Sequence, residues 1–145
     1  MSNKTRVLFL CTHNSARSQM AEAFLRKYGS EHFEAHSAGL EPAPIHPYTF
    51  QVMHEVGIDL EEDGHHPKGI WEDYIKKHVH VGYLITVCSN AEAKCPVYPG
   101  VGEREYWGFE DPAAFVGSDE EKLAKFREIR DQVEARVKAF IEENT

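Results

Sequence analysis

The sequence predicts an α/β domain spanning residues 1–145. It is an open parallel sheet of about four strands with helices on both faces. Three observations predict it. Apolar, strand-like runs alternate along the chain with segments of helical periodicity, the pattern of a parallel sheet joined by crossover helices. The first run, Val7 to Leu10, is continuously apolar, as a strand covered on both faces must be. Cys11, Ser37, Cys88 and the loop holding Asp111 fall at or just past the ends of predicted strands. Such sheets bind ligands at the carboxyl ends of their strands, so these residues share one rim.

The elements follow in order. Residues 5–10 read as a strand and 15–28 as a helix, with Met20, Ala23 and Phe24 at helical spacing and Gly29 as the stop. Phe33 to Ser37 alternates and ends at Ala38-Gly39, a second strand. Glu41 to Pro47 carries three prolines, marking a loop and then a helix start. Tyr48, Val52 and Val56 predict a helix over 48–56, stopped by Gly57. After Ile58 to Leu60 comes a polar loop, 61–69, and then a short helix is expected over 70–77. Tyr83 to Val87 is the clearest later strand and ends at Cys88; 103–107 is a weaker one. Residues 118–144 form the last helix. Ser118 caps it with Glu121 three residues on, and Leu123, Phe126, Ile129, Val133, Val137 and Phe140 form its apolar stripe.

Composition narrows the function. The chain is 41% hydrophobic and 28% charged, with 24 acids against 16 bases and a formal charge of −8. That argues against nucleic acid or an anionic membrane surface as the partner. No apolar segment approaches the ~20 residues of a membrane span. The opening Met-Ser-Asn-Lys-Thr-Arg leaves no room for a signal peptide before the first strand, so a cytoplasmic protein is expected. The three cysteines, Cys11, Cys88 and Cys95, are an odd number and do not read as a structural disulfide framework.

The chemistry concentrates between Cys11 and Ser18. A cysteine stands where a strand stops, Thr12 to Ala16 make a short polar loop, and Arg17 and Ser18 open a helix. A loop entering a helix directs unpaired N–H groups and the positive end of the helix dipole at one spot, a cradle for a tetrahedral oxyanion. Thr12, His13, Asn14, Ser15, Ala16, Arg17 and Ser18 would form it, with the Arg17 guanidinium closing over the anion. The same field favours thiolate at Cys11, and the hydroxyls of Thr12 and Ser18 are placed to bond its sulfur. Taken alone, Cys11 would read as a packing cysteine; Cys-x5-Arg-Ser between a strand and a helix is more specific.

Six residues separate Cys88 from Cys95, which is not a zinc or thioredoxin-type spacing. An intact helix between them would set them roughly 10 Å apart along its axis, beyond disulfide reach. The segment is therefore a candidate redox switch that must rearrange to bond. With Cys11 activated, the three thiols suggest a relay of nucleophile, resolving thiol and carrier.

These pieces together resemble the low-molecular-weight tyrosine phosphatase fold, and within it the thioredoxin-coupled arsenate reductases. The matching residues are Cys11 to Glu22, Ser37-Ala38-Gly39, Cys88-x6-Cys95-Pro96 and Trp107 to Pro112. The resemblance implies that Cys11 attacks arsenate, Asp111 protonates the leaving oxygen, Cys88 resolves Cys11, and Cys95 carries the disulfide to thioredoxin. A monomer with no resident cofactor or metal is expected. Some relatives hold a potassium ion at positions resembling Asn14, Glu22, Ser37 and an acid. Here the acid's counterpart is Lys68, and its ammonium is expected to take the cation's place beside Glu22. Two other readings remain open at this point. One is a phosphotyrosine phosphatase using Cys11, Arg17 and Asp111, although Ala113 and Ala114 stand where aromatics would hold a substrate ring. The other is a thiol-based binder of metal or arsenite. Asp111 before Pro112 also reads as an ordinary turn residue.

Overall fold

The computed structural model describes residues 4–145. Four strands, β1 (Thr5–Cys11), β2 (Phe33–Gly39), β3 (Val81–Thr86) and β4 (Val101–Tyr106), form one parallel sheet in the order β2-β1-β3-β4. The helices are α1 (Arg17–Gly29), α2 (Pro47–His54), α3 (Ser89–Ala93) and α4 (Asp119–Glu143). Val7, Leu8, Phe9 and Leu10 are all fully buried, although successive side chains point to opposite faces, so β1 is covered on both sides. α1 packs against α4 and β2. Rings on the sheet meet α4, with Phe33 5.2 Å and Trp107 5.7 Å from Phe140 between centroids. The Arg136 guanidinium lies 4.4 Å over the Trp107 ring. The predicted capping box at Ser118 and Glu121 is present. Among the described residues no helix is long and apolar enough to cross a membrane.

The predicted boundaries shift where side chains capture the backbone. β1 runs one residue further, through Cys11. α1 begins at Arg17 rather than 15, because Asn14 adopts φ 57° and Ser15 and Ala16 complete a loop. α2 begins at Pro47, capped by His46 Nδ1 accepting the Tyr48 N–H, and ends at His54 before Gly57 at φ 82°. Instead of a helix over 70–77 there is a single π turn, Trp71–Ile75. The Asp73 carboxylate takes the Gly69 N–H at its start, and His78 at φ 56° follows it. β3 and β4 each begin and end a little earlier than expected. The segment after β3 contains α3, a helix of five residues whose N-cap is Cys88 itself.

Candidate active site

β1 delivers Cys11 to the rim, and the loop that follows is held from outside by its carbonyls. Leu40 N–H donates to Cys11 O (3.1 Å), Glu41 to Thr12 O (2.8 Å), Ala43 to His13 O (3.0 Å) and His46 to Ser15 O (3.0 Å). Thr49 Oγ1 adds a second bond to Ser15 O at 3.0 Å. With the carbonyls turned outward, the N–H side faces the cavity. Among the described residues, no N–H from Thr12 to Arg17 is used on a backbone carbonyl outside the helices and strands, and the Thr12 backbone beside the Cys11 sulfur pulls its pKa down. The α1 dipole points at the same place.

Beneath the loop lies a buried polar network. Asn14, in the left-handed region, donates from Nδ2 to Ser18 Oγ (2.8 Å) and accepts at Oδ1 from Gln19 Nε2 (2.9 Å) and the Lys68 N–H (2.9 Å). Gln19 Oε1 meets His65 Nδ1 at 2.9 Å, and burial pushes the His65 pKa down. Gly39 lets β2 approach closely: a Cβ there would lie 2.9 Å from Asn14 N, His13 C and Thr12 O. Glu22, 3% exposed, accepts from Ser37 Oγ and Arg26, and its Oε1 is 3.4 Å from Lys68 Nζ. Lys68 Nζ also donates to His66 O at 2.9 Å. The ammonium therefore pairs with Glu22 as expected. The residues present do not fit an additional potassium ion at that carboxylate.

A cavity of about 350 Å³ opens above the loop, lined by Cys11, Arg17, Cys88, Asn90, Phe109 and Asp111 among others. Arg17, 8% exposed, donates from Nη1 to Phe109 O (3.0 Å), and its Nη2 is 3.7 Å from Asp111 Oδ2. Asp111 does two things at once. Its Oδ1 accepts the Ala113 N–H at 3.0 Å, capping the 3-10 turn Pro112–Ala114, while Oδ2 faces Arg17 over the cavity.

All three cysteines are free thiols; Cys11 and Cys88 are buried and Cys95 is half-buried. The two cavity thiols are shifted in opposite directions by their contact. The Cys11 pKa is pushed well up, first by its hydrogen bond with Cys88 and then by burial, against the pull of Arg17. Cys88 is pushed down to about 5, first by the hydrogen bond with Cys11, with Thr12, the Ala91 N–H and Arg17 adding to it. The two thiols therefore titrate as a pair, Cys11 shifted up and Cys88 shifted down. The expected hydroxyl bonds to Cys11 are also redirected: Thr12 Oγ1 lies 3.5 Å from Cys88 Sγ, and Ser18 Oγ accepts from Asn14. Burial raises the Cys95 pKa. α3 stands between Cys88 and Cys95, tied down by Thr86 Oγ1 to Glu92 (2.9 Å), Arg104 to Glu92 (3.3 Å) and Asn90 to Thr12 (2.8 Å).

Cys11, Arg17, Cys88, Asp111 and the loop thus come together, and Cys95 stands on the far side of α3. Sequence reasoning missed Asn90, the Phe109 carbonyl and the Thr86–Glu92 tie. Only Asn90 left a signal, as an amide within the Cys88-x6-Cys95 spacer.

Comparison with known proteins follows the same lines. The family model described as low molecular weight phosphotyrosine protein phosphatase matches residues 6–144. The chain is 41% identical over 140 residues to an arsenate reductase of Halalkalibacterium halodurans, covering 97% of each. A solved arsenate reductase in its phosphate-binding state aligns with TM-score 0.76 at 31% identity, over 97% of this chain and 99% of that one. A thioredoxin-dependent arsenate reductase of Corynebacterium glutamicum aligns with TM-score 0.72 at 30% identity, over 99% of this chain and 65% of that one.

Proposed function

The chain belongs to the low molecular weight phosphotyrosine protein phosphatase family, and from that premise we propose that it reduces arsenate to arsenite by a three-cysteine relay fed by thioredoxin. The N–H groups of Thr12 to Ser18 and the Arg17 guanidinium hold the arsenate oxygens. The Cys11 proton passes to an arsenate oxygen, and the Cys11 sulfur attacks arsenic. Asp111 protonates the departing oxygen, which leaves as water. Cys88 thiolate then attacks the Cys11 sulfur. A sulfur–sulfur bond forms, the sulfur–arsenic bond breaks, and its electron pair stays on arsenic, which departs as arsenite. Cys95 attacks Cys88 in turn, releasing Cys11 as thiolate and leaving a Cys88–Cys95 disulfide. Thioredoxin reduces that bond with two electrons.

One observation carries the reading: Cys88 lines the same cavity as Cys11, where Cys11, Thr12, the Ala91 N–H and Arg17 pull its pKa down to about 5. A phosphatase would need Cys11, Arg17 and Asp111 and would give a second thiol in the cavity, its pKa lowered, nothing to do. The test is arsenite production with thioredoxin, thioredoxin reductase and NADPH. Wild type turns over repeatedly, and Cys11→Ser, Cys88→Ser and Cys95→Ser each do not. Repeated turnover by either of the last two would sink the relay. Much faster turnover with a glutaredoxin or mycothiol system would replace thioredoxin and leave the relay standing.

A further inference from the structure

Thr12 has one hydroxyl hydrogen and two polar neighbours, the Asn90 amide and the Cys88 sulfur. Asn90 Nδ2 stands 2.8 Å from Thr12 Oγ1. An amide nitrogen only donates, so Oγ1 accepts there and its own hydrogen is left for another acceptor. Cys88 Sγ, 3.5 Å from the same oxygen, is that acceptor. On its other side the sulfur accepts the Ala91 N–H at 3.4 Å. We infer that Asn90 is a positioning residue for Cys88: its amide fixes the Thr12 hydroxyl so that the hydrogen points at the Cys88 sulfur and favours its thiolate. The importance of this for turnover rests on the resolving role proposed for Cys88; the hydrogen-bond directions do not.

The residue type fits the role. Asn90 is exposed and is the second residue of α3, whose N-cap is Cys88. In a first turn, Asp would be favoured by the helix dipole. An Asp carboxylate at 90 would instead accept the Thr12 hydrogen, taking it from Cys88 and adding a negative charge beside the thiolate. Asn is weak in helices, yet it is neutral and of the right length, and with Nδ2 turned to Thr12 it donates to this oxygen. The arrangement also ties the donor to α3. If α3 unwinds to let Cys95 reach Cys88, Asn90 leaves Thr12 at the point where Cys88 has become a disulfide sulfur.

The test is alkylation of the fully reduced, full-length protein by iodoacetamide across pH, with each cysteine followed separately by peptide mass spectrometry. In Asn90→Ala the Cys88 midpoint rises by about half a pH unit, and in Asn90→Asp by about one unit or more. Thr12→Val raises it as well, and adding Asn90→Ala to Thr12→Val moves it no further. The Cys95 midpoint stays where it is in Asn90→Ala. An unchanged Cys88 midpoint in Asn90→Ala overturns the assignment, as does an Asn90→Ala shift that persists in the Thr12→Val background. The readout needs no arsenate. If wild type makes no arsenite while the variants show these shifts, the relay falls and the assignment stands.

Discussion

The two segments that meet in the cavity are held in opposite ways. The oxyanion loop, 12–16, is fastened along its length. Its carbonyls at Thr12, His13 and Ser15 are taken by residues 41–46, Asn14 is fully buried with its amide bonded at both ends, and Gly39 presses against the loop backbone. The segment 88–95 is a five-residue helix whose ties are single side-chain contacts at Thr12, Thr86 and Arg104. Binding an anion through N–H groups requires donors that are already aimed, because any reorientation is subtracted from the binding. Passing a disulfide from Cys88 to Cys95 requires a helix that can come apart, because the bond has strict geometry. In the proposed relay, one rim of one sheet supplies both a rigid cradle and a releasable arm.

The largest expected effect is on the rigid side. In Gly39→Ala the new methyl meets only backbone atoms of the loop, at 2.9 Å, so the loop itself must move. Misplacing the donors by a fraction of an ångström to an ångström costs on the order of 100-fold in catalytic efficiency. Inorganic phosphate, tested as a competitive ligand, should lose affinity in parallel. Wild-type binding of phosphate by Gly39→Ala would break the claim that packing against β2 sets the aim of the loop.

Much of this was legible from sequence because it is local or topological. Cys11, Arg17 and the strand–loop–helix between them are contiguous, and a parallel sheet brings strand ends to one rim, which places Cys88 and Asp111 without knowledge of contacts. The coupling of the two thiols was not legible. It depends on Thr12 meeting Cys88 and on Cys11 meeting Cys88, contacts across 76 or more residues that no periodicity encodes. The π turn at Trp71–Ile75 was read as a helix because the apolar spacing of one turn is common to both. The Lys68–Glu22 pair was anticipated only through resemblance; nothing in the spacing of residues 22 and 68 points to it.

A smaller effect is expected on the releasable side. Thr86→Val removes the hydroxyl that holds Glu92 at 2.9 Å. Losing one such hydrogen bond costs about 1 kcal/mol, so the segment should open roughly fivefold more often. Amide hydrogen exchange should quicken by that factor at residues 91–95 and stay unchanged at 12–18. Formation of the Cys88–Cys95 disulfide should be no slower than in wild type. Equal acceleration in both segments would mean that loop and arm are one cooperative unit, and the contrast between them would fall.

The smallest effect expected is none, and it bears on what stiffens the loop from below. The Lys68 backbone bonds both sides of the site, its N–H to Asn14 Oδ1 at 2.9 Å and its carbonyl to the Gly39 N–H at 2.8 Å. Its ammonium lies 3.4 Å from Glu22 Oε1, in a pocket where Glu22 is only 3% exposed. A cation tethered to the chain is present at every salt composition, whereas a bound ion comes and goes with its concentration. Exchanging sodium for potassium at fixed ionic strength should therefore leave turnover and melting temperature unchanged in wild type. Lys68→Met removes the charge and leaves Glu22 buried with less compensation, so it should lower the melting temperature, since breaking a buried pair is destabilising. In that variant a potassium-dependent recovery becomes possible, because the carboxylate is then open to a free cation. A marked rise of wild-type activity in potassium over sodium would show that the loop is stiffened by an ion after all, and that Lys68 does not replace one.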